Sequence, residues 1–251
     1  MLKINIKKYL IMKKIIIIGA GAMGSAFAVP CLENKNEVTI IGTHLEDDLI
    51  DSIKSNNNFH PALKVELPTK LKVEKYEKLK SILEREVDII VAGVSSIGIE
   101  WFVNQISKNY KKNLPIILLT KGLAIEDNEL ITLSDKIKKL LKKQGHEEVN
   151  VSAIKGPCLA AGLAYKMRTG TVIANPDIKE TEKLKKIIST DYYSTEISDD
   201  LTGVELAGAI KNIYSMLIGA SEGLSNSKAP KEIQSKYYLN TSASLIHRSI
   251  S

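Results

Sequence analysis

A single lysine stands in the middle of a long apolar segment and is the first candidate for chemistry. Residues 203–224 read GVELAGAIKNIYSMLIGASEGL, and the positions at helical contact spacing from Lys211 carry uncharged residues. Two interpretations are open for Lys211. Either its methylene stem carries the ammonium to solvent, or burial lowers the pKa of the amine and suits it to proton transfer.

A glycine-rich loop offers a second chemistry, the binding of a diphosphate. The loop Gly19-Ala-Gly21-Ala-Met-Gly24 follows the β-branched run KKIIII and precedes a helical sequence. In this context the first glycine allows a tight turn, the second lets the backbone approach a pyrophosphate, and the third lets helix and strand pack closely. The sequence therefore predicts a dinucleotide site at the start of a helix.

The end of the next strand should distinguish NAD from NADP. An acid there would bind the ribose hydroxyls of NAD, and a basic residue would bind the 2′-phosphate of NADP. The strand EVTII ends instead in Gly42-Thr43-His44, and the acids Glu46, Asp47 and Asp48 come slightly too late. NAD and NADP therefore both stay open, with weak discrimination expected.

Further strand-like runs indicate which elements hold these residues. They cover residues 87–94, 114–120, 149–154 and 170–175, with helical stretches between several of them. This alternation predicts an α/β fold with a Rossmann-like, doubly wound, mostly parallel sheet. Ligands bind beyond the carboxyl ends of such strands, which is where the motifs VSS (94–96), TKG (120–122) and KGP (155–157) lie. Lys121 is thus placed at the ligand edge.

The apolar segment that contains Lys211 starts a second part of the chain. Asp199 and Asp200 stand where a helix N-cap would, and apolar residues on every side of the following helix predict that it is buried. We expect a dinucleotide-binding domain at 12–198 and a partial, all-helical substrate domain at 199–251. Residues 1–11 precede a second methionine, Met12, and are expected to be an extension or an upstream start.

Composition narrows the class of protein. A net charge of +6 and a pI near 9.0 favour anionic small molecules, and 5% aromatic residues argue against a nucleic-acid partner. No segment is long enough to span a membrane. Cys31 and Cys158 have neither metal-like spacing nor a disulfide framework, so reduced thiols in a cytoplasmic protein are expected and no metal is predicted.

Together these motifs make the sequence resemble the NAD(P)-dependent glycerol-3-phosphate dehydrogenase family. The resemblance runs in family order from about residue 13 to the last residues. The pairing of TKG with GAIKN after the glycine loop is its most specific part, and reductases acting on ketopantoate or pyrroline carboxylate lack that pairing. The stretches that carry it are IIGAGAMGSAFA, VTIIGT, HPALKVELP, DIIVAGVSS, LLTKGL, IKGPCLAAGLAYKMRTGTVIA, DLTGVELAGAIKNIY and NTSASLIHR.

The resemblance implies a role for individual residues. Lys211 matches the family's proton-transferring lysine, Asn212 a residue that contacts substrate or orients that lysine, and Lys121 a lysine contacting both cofactor and substrate. Gly156 and Cys158 match substrate-loop positions, although the family usually has a hydroxyl residue where Cys158 stands. The positions that match cofactor contacts are Gly19, Gly21, Ala22, Met23, Gly24, Thr43, Lys121 and Ala160, with Ala22 replacing a frequent serine.

The activity that the resemblance implies is the interconversion of sn-glycerol 3-phosphate and dihydroxyacetone phosphate with NAD or NADP, feeding glycerophospholipid synthesis. The family continues well past the position matching Arg248, with helices that bind the substrate phosphate, whereas this sequence stops at Ser251. A truncated chain that binds NADH but turns over poorly is therefore expected. Apolar faces left uncovered on the helix at 203–224 would favour aggregation or a homodimer. The alternative is a nucleotide-binding remnant of the family without turnover.

Overall fold

The computed structural model describes residues 12–224, and its centre is one eight-stranded sheet in the order β12-β11-β10-β7-β6-β1-β2-β5. The strands of the described chain are β1 Lys14–Ile18, β2 Glu37–Ile41, β3 Phe59–His60, β4 Val65–Glu66, β5 Lys72–Glu74, β6 Ile89–Ala92, β7 Ile116–Leu118, β8 Leu123–Glu126, β9 Glu129–Thr132, β10 Val151–Lys155, β11 Thr169–Ala174 and β12 Tyr193–Ser198. β3–β4 and β8–β9 form two separate hairpins.

Helices cover both faces of this sheet. The helices of the described chain are α1 Ala22–Glu33, α2 Asp47–Ser55, α3 Leu79–Leu83, α4 Ile99–Ile106, α5 Leu133–Lys143, α6 Ala160–Ala164, α7 Ile178–Ile188 and α8 Leu201–Leu224. The central strands β6 and β7 are apolar at every position because both of their faces are buried. Along β1, Ile15 and Ile17 pack into one core cluster, whereas Ile16 and Ile18 pack into the other.

The mostly parallel, Rossmann-like sheet predicted from the sequence is confirmed. Strands β5, β2, β1, β6, β7 and β10 all run parallel to one another, whereas β11 pairs antiparallel with β10. The carboxyl ends of the parallel strands therefore share one edge, which we call the ligand edge. The sequence patterns did not predict the strands of the two hairpins, nor the strands β5 and β12.

The described chain divides into two compact units, one ending at Glu205 and the next beginning at Leu206. The boundary lies inside α8, later than the division at 198/199 expected from the sequence, and the assignment of a substrate domain stays a prediction. The first turns of α8 belong to the first unit. There Asp200 caps the helix by accepting a hydrogen bond from the Gly203 N–H at 2.8 Å, as the sequence predicts.

The expectation that α8 is buried on all sides is wrong. Leu206 is 39% exposed, Ile213 58% and Met216 73%. Burial is confined to positions such as Leu201, which packs with Ala153 and Ala174 in a small core cluster of the first unit. The apolar sequence period therefore predicted the helix correctly but overestimated how much of its surface other elements cover.

Candidate active site

The glycine loop joins β1 to α1 at the ligand edge. Gly19 has a φ of +109°, and a Cβ atom there would lie 2.7 Å from the Gly93 carbonyl carbon. A Cβ on Gly24 would lie 2.4 Å from the Gly19 carbonyl oxygen. Both positions thus require glycine, the first for its backbone conformation and the second for the close approach of helix to strand.

Gly21 differs from these two glycines because the space beside it is open. A Cβ built on Gly21 would meet only the Glu46 Oε1 atom, at 3.8 Å. Gly21 is also the N-cap of α1, and no side chain caps that helix end. Backbone N–H groups at an uncapped helix start, next to a glycine with free space, fit the diphosphate of a dinucleotide.

The loop is held rigidly through the Ala20 peptide. Its carbonyl oxygen accepts a hydrogen bond from the Ser25 hydroxyl at 2.9 Å and lies 3.0 Å from His60 Nε2. The Leu63 N–H donates to His60 Nδ1 at 3.3 Å, so Nε2 carries the ring proton and donates to Ala20. His60 lies in one of the stretches of family resemblance, but the sequence alone assigned it no role.

Glu46 also holds the glycine loop in place, and its position corrects the interpretation that this acid comes too late after β2 to reach the loop. Its Oε2 atom accepts hydrogen bonds from the Ala20 N–H at 3.0 Å and the Thr43 N–H at 2.8 Å. The Glu46 N–H donates to the Thr43 carbonyl at 3.0 Å, and this turn brings the acid back to the glycine loop. Glu46 is therefore not too late in the sequence to reach the cofactor site.

An aromatic cluster lies beyond the ends of β2 and β5. The ring centroid of Trp101 is 5.1 Å from that of His44 and 5.6 Å from that of Tyr76. Trp101 is on α4, which follows β6. The cluster thus joins three segments of the ligand edge on the glycine-loop side.

Lys121 occupies the other side of the ligand edge, three residues beyond the end of β7. It is half-buried, and its Nζ donates to the Gly156 carbonyl at 3.2 Å. A small cleft gathers several of the predicted site residues around it. The lining of that cleft is Met23, Phe27, Leu119, Lys121, Ile154, Gly156, Cys158, Thr171 and Tyr193.

Gly156 and Cys158 form the wall of this cleft that follows β10. Gly156 has a φ of +155°, and a Cβ there would lie 2.8 Å from the Thr171 Cα, so β11 leaves room only for glycine. Cys158 is buried, which raises the pKa of its thiol, while Thr169 and Lys121 lower it in part. At this position the family usually has a hydroxyl residue, and here the neutral thiol of Cys158 takes its place as a small hydrogen-bond donor.

The other positions matched to cofactor contacts lie around the same loop. Ala22, Met23 and Ala160 are partly buried and pack against the core cluster that contains Phe27. Thr43 meets the loop through Glu46, as described above. The structure thus brings the cofactor positions and the Lys121 cleft together in the first unit, through Met23, which belongs to both.

Lys155 is a buried charged residue that the sequence interpretation passed over. It is 3% exposed, and its Nζ donates to the Leu118 carbonyl at 3.1 Å and the Thr120 carbonyl at 2.6 Å. Burial lowers the pKa of Lys155 to about 8, with Glu205 raising it in part and Lys121 lowering it further. A lysine that directly follows the predicted strand at 149–154 was the signal for it.

Glu205 is the acid that faces Lys155 electrostatically. It is fully buried on α8, and its Oε1 accepts a hydrogen bond from the Ser134 N–H at 3.2 Å, at the start of α5. Its Oε2 is buried and has no hydrogen-bond partner among the described residues. Lys155 and Glu205 are thus two buried groups of opposite charge that influence each other electrostatically, while Lys155 makes its hydrogen bonds to backbone carbonyls.

Lys211 and Asn212 lie in α8, in the unit that begins at Leu206. Lys211 is half-buried, and its carbonyl accepts a hydrogen bond from the Ser215 hydroxyl at 3.3 Å. The side chain of Asn212 lies outside the described residues. The roles of Lys211 and Asn212 in proton transfer and substrate binding stay predictions.

Three further features of the described chain bear on the class of protein. No group of His, Cys, Asp and Glu side chains within residues 12–224 is arranged to hold a metal ion. Among the same residues, no helix is long and apolar enough to cross a membrane. Cys31 and Cys158 are both buried free thiols.

Comparison with known proteins finds a family whose sequence pattern this chain matches, and similar proteins of known activity. Residues 14–181 match the family described as NAD-dependent glycerol-3-phosphate dehydrogenase N-terminus. The NADP(+)-dependent glycerol-3-phosphate dehydrogenase of Archaeoglobus fulgidus is 34% identical over 227 residues, which cover 90% of this chain and 66% of that protein. The glycerol-3-phosphate dehydrogenase [NAD(P)+] of Mesoplasma florum is 32% identical over 202 residues, covering 80% and 58%.

A solved structure agrees with these relatives. The glycerol-3-phosphate dehydrogenase of Coxiella burnetii superposes with a TM-score of 0.74 at 25% identity, over 94% of this chain and 66% of that one. The chain therefore spans less than two thirds of the length of each of these proteins.

Proposed function

The chain belongs to the NAD-dependent glycerol-3-phosphate dehydrogenase family, and from that premise we propose that it acts in the interconversion of sn-glycerol 3-phosphate and dihydroxyacetone phosphate. The proposal rests on the observation that the glycine loop and the Lys121 cleft adjoin each other at one edge of the sheet. The glycine loop contributes Met23 to the same cleft that Lys121, Gly156 and Cys158 line. A dinucleotide and a small anionic substrate would thus share a boundary.

The residues that would hold the cofactor are those of the loop and its surroundings. The backbone at Gly21, Ala22 and Met23 meets the diphosphate, and Gly19 and Gly24 shape the turn that presents it. When bound, NAD or NADP supplies or accepts the hydride. Glycine positions with the required conformation and the open space beside Gly21 support this assignment.

The residues for the substrate fall into two groups. Lys121, with Gly156 and Cys158 beside it, provides a positive charge near the substrate oxygen or phosphate. Lys211 as an ammonium donates a proton to the ketone oxygen when the ketone is reduced, and as a neutral amine it removes the hydroxyl proton in the opposite direction. Asn212 orients Lys211 or contacts the substrate.

We extend the proposal to the setting of the reaction. The product sn-glycerol 3-phosphate feeds glycerophospholipid synthesis, and two free thiols support a cytoplasmic protein. A homodimer is supported by the exposed apolar side chains of α8, including Ile213 and Met216. Light scattering over a range of protein concentrations tests the dimer.

The proposal is tested with Lys211→Met. We expect turnover of dihydroxyacetone phosphate to fall by ~10²-fold or more, because general acid catalysis contributes about that much, while the Kd for NADH stays nearly constant. The matched control is Lys179→Met, which removes an exposed lysine from α7. Substrate-dependent NADH oxidation and NADH binding are measured side by side.

The same two measurements separate the proposal from its rival. Near-normal turnover in Lys211→Met would remove Lys211 from the mechanism. NADH binding without any substrate-dependent oxidation in the unaltered protein would instead identify a nucleotide-binding protein that lacks turnover.

A further inference from the structure

We propose that Glu46 binds the ribose of the cofactor's adenosine half and makes this protein prefer NAD(H) to NADP(H). The proposal rests on the function proposed above, because it concerns the same dinucleotide site. It also replaces the weak discrimination expected from the sequence, which treated Glu46 as too distant from the end of β2.

The position of Glu46 is the first support. The turn from Thr43 to Glu46 returns the chain to the end of β2, and the Glu46 side chain reaches across to the glycine loop. Its carboxylate thus lies between the ends of β1 and β2. In dinucleotide-binding folds an acid in this place accepts hydrogen bonds from the ribose hydroxyls of NAD.

The two oxygen atoms of the carboxylate have different surroundings. Oε2 accepts hydrogen bonds from both Ala20 and Thr43, so the side chain is fixed before a ligand arrives. Among the described residues outside the loop's own backbone, Oε1 is the atom that a Cβ built on Gly21 would approach, at 3.8 Å. This oxygen therefore borders the open space beside the loop and is free to accept from a hydroxyl group.

The local charge favours a diol over a phosphate. Residues 42–48 read GTHLEDD, with three acids and no lysine or arginine. A 2′-phosphate would bring up to two further negative charges against Glu46, and juxtaposed like charges without a compensating cation are costly. A ribose with free 2′- and 3′-hydroxyl groups instead donates hydrogen bonds to the carboxylate.

The family alone does not decide the preference. The similar protein of Archaeoglobus fulgidus is described as NADP(+)-dependent, and that of Mesoplasma florum as using NAD(P)+. The preference of this chain must therefore follow from its own residues at the adenosine end, and Glu46 is the one that the fold fixes there.

The experiment measures the Kd of NADH and of NADPH for the unaltered protein, Glu46→Gln and Asp48→Asn. Glu46→Gln removes the charge but keeps an oxygen that accepts from Ala20 and Thr43. Asp48→Asn is the matched control, since it removes an exposed acid from the first turn of α2. Titration of intrinsic fluorescence or calorimetry gives the constants without any turnover.

We expect the unaltered protein to bind NADH at least ~30-fold more tightly than NADPH, a size typical of one unfavourable charge pair. Glu46→Gln should reduce that ratio to about threefold, mainly by tightening NADPH, whereas Asp48→Asn should leave it unchanged. A ratio near one in the unaltered protein, or a ratio that Glu46→Gln does not alter, would overturn the proposal.

A second measurement does not depend on the folding of a variant. ADP-ribose and its 2′-phosphorylated form are compared as competitors of NADH on the unaltered protein, and we expect only the first to displace it well. Equal displacement would contradict the role of Glu46 and leave the proposed function standing. Failure of both NADH and NADPH to bind would overturn both proposals together.

Discussion

The two sides of the ligand edge bind their charged side chains in opposite ways. On the glycine-loop side, backbone N–H groups of Ala20 and Thr43 donate to the carboxylate of Glu46. On the side of β7 and β10, backbone carbonyl groups accept from amines. Lys155 binds two carbonyls at the end of β7, and Lys121 binds that of Gly156.

The turns that follow the strands account for this difference. Ala20 lies before α1 and Thr43 lies after β2, so their N–H groups belong to turns and donate to Glu46. After β7 the chain passes through Thr120 and Lys121 into the β8–β9 hairpin. The Leu118 and Thr120 carbonyl groups at this strand end accept hydrogen bonds from Lys155.

The largest effect that tests the difference between the two sides is expected on catalysis, when the amine is removed from the β7 side. Lys121→Met removes the accessible amine of the lysine side, and we expect kcat/KM for dihydroxyacetone phosphate to fall by roughly 10³-fold, as when a donor to a developing charge is lost. The Kd for NADH should change less than about tenfold, since the glycine loop is intact.

Steady-state kinetics measure this effect. The control is Lys70→Met, which removes an exposed lysine. If Lys121→Met kept kcat/KM within a few-fold of the unaltered protein, the lysine side would have no part in substrate chemistry.

The next effect concerns stability. Lys155→Met leaves the Leu118 and Thr120 carbonyls without their donor and removes the positive charge that acts on Glu205. Each buried acceptor left without a partner costs roughly 1 to 3 kcal/mol, so we expect the free energy of unfolding to fall by roughly 2 to 6 kcal/mol. Urea denaturation at neutral pH measures this loss.

The double variant Lys155→Met with Glu205→Gln provides the control. Glutamine keeps an acceptor for the Ser134 N–H and removes the uncompensated charge, so we expect it to recover part of the stability. Losses that simply add would show that Lys155 and Glu205 are not coupled.

The smallest effect is a dependence of stability on pH. Burial lowers the pKa of Lys155 from 10.5 to about 8, so the unfolded chain holds the proton more tightly than the folded chain between these values. Stability from this group therefore rises with pH across that window, by up to roughly 3 kcal/mol. Below pH 8 both states are protonated and the contribution is constant.

The free energy of unfolding is measured against pH for both the unaltered protein and Lys155→Met. Other groups that titrate at alkaline pH affect both proteins, so their contribution cancels in the difference. The difference in the free energy of unfolding should widen from pH 8 to pH 10.5. A difference that stays flat over this range would show that Lys155 keeps its ordinary pKa in the folded protein.

Much of the fold was predictable because it depends on local patterns. The run of isoleucines in β1 with the glycines after it predicts a strand, a turn and a helix, and all three are present. The short strand β5 and the β3–β4 hairpin were not predictable, because they contain two or three residues each and lack a clear apolar period.

The candidate site was predictable where a single residue carries its own signal. Gly19 and Gly24 are fixed by backbone geometry that only glycine satisfies, and Lys121 follows directly after the predicted strand at 114–120. Glu46 and Lys155 gave a weaker signal. Glu46 depends on a turn that reverses the chain, and Lys155 on carbonyl groups more than thirty residues away in the sequence.

The sequence by itself thus determined the longer apolar strands of the sheet, the glycine loop and the side of the sheet where ligands bind, since these follow from periodicity and backbone conformation. Only the tertiary structure decided which charged side chains meet that edge. Partners such as Ala20 with Glu46 or Lys155 with Thr120 come from separate segments. Their pairing exists only once the parallel strands bring those segments together, because a buried charge is tolerated only where the fold supplies its hydrogen bonds.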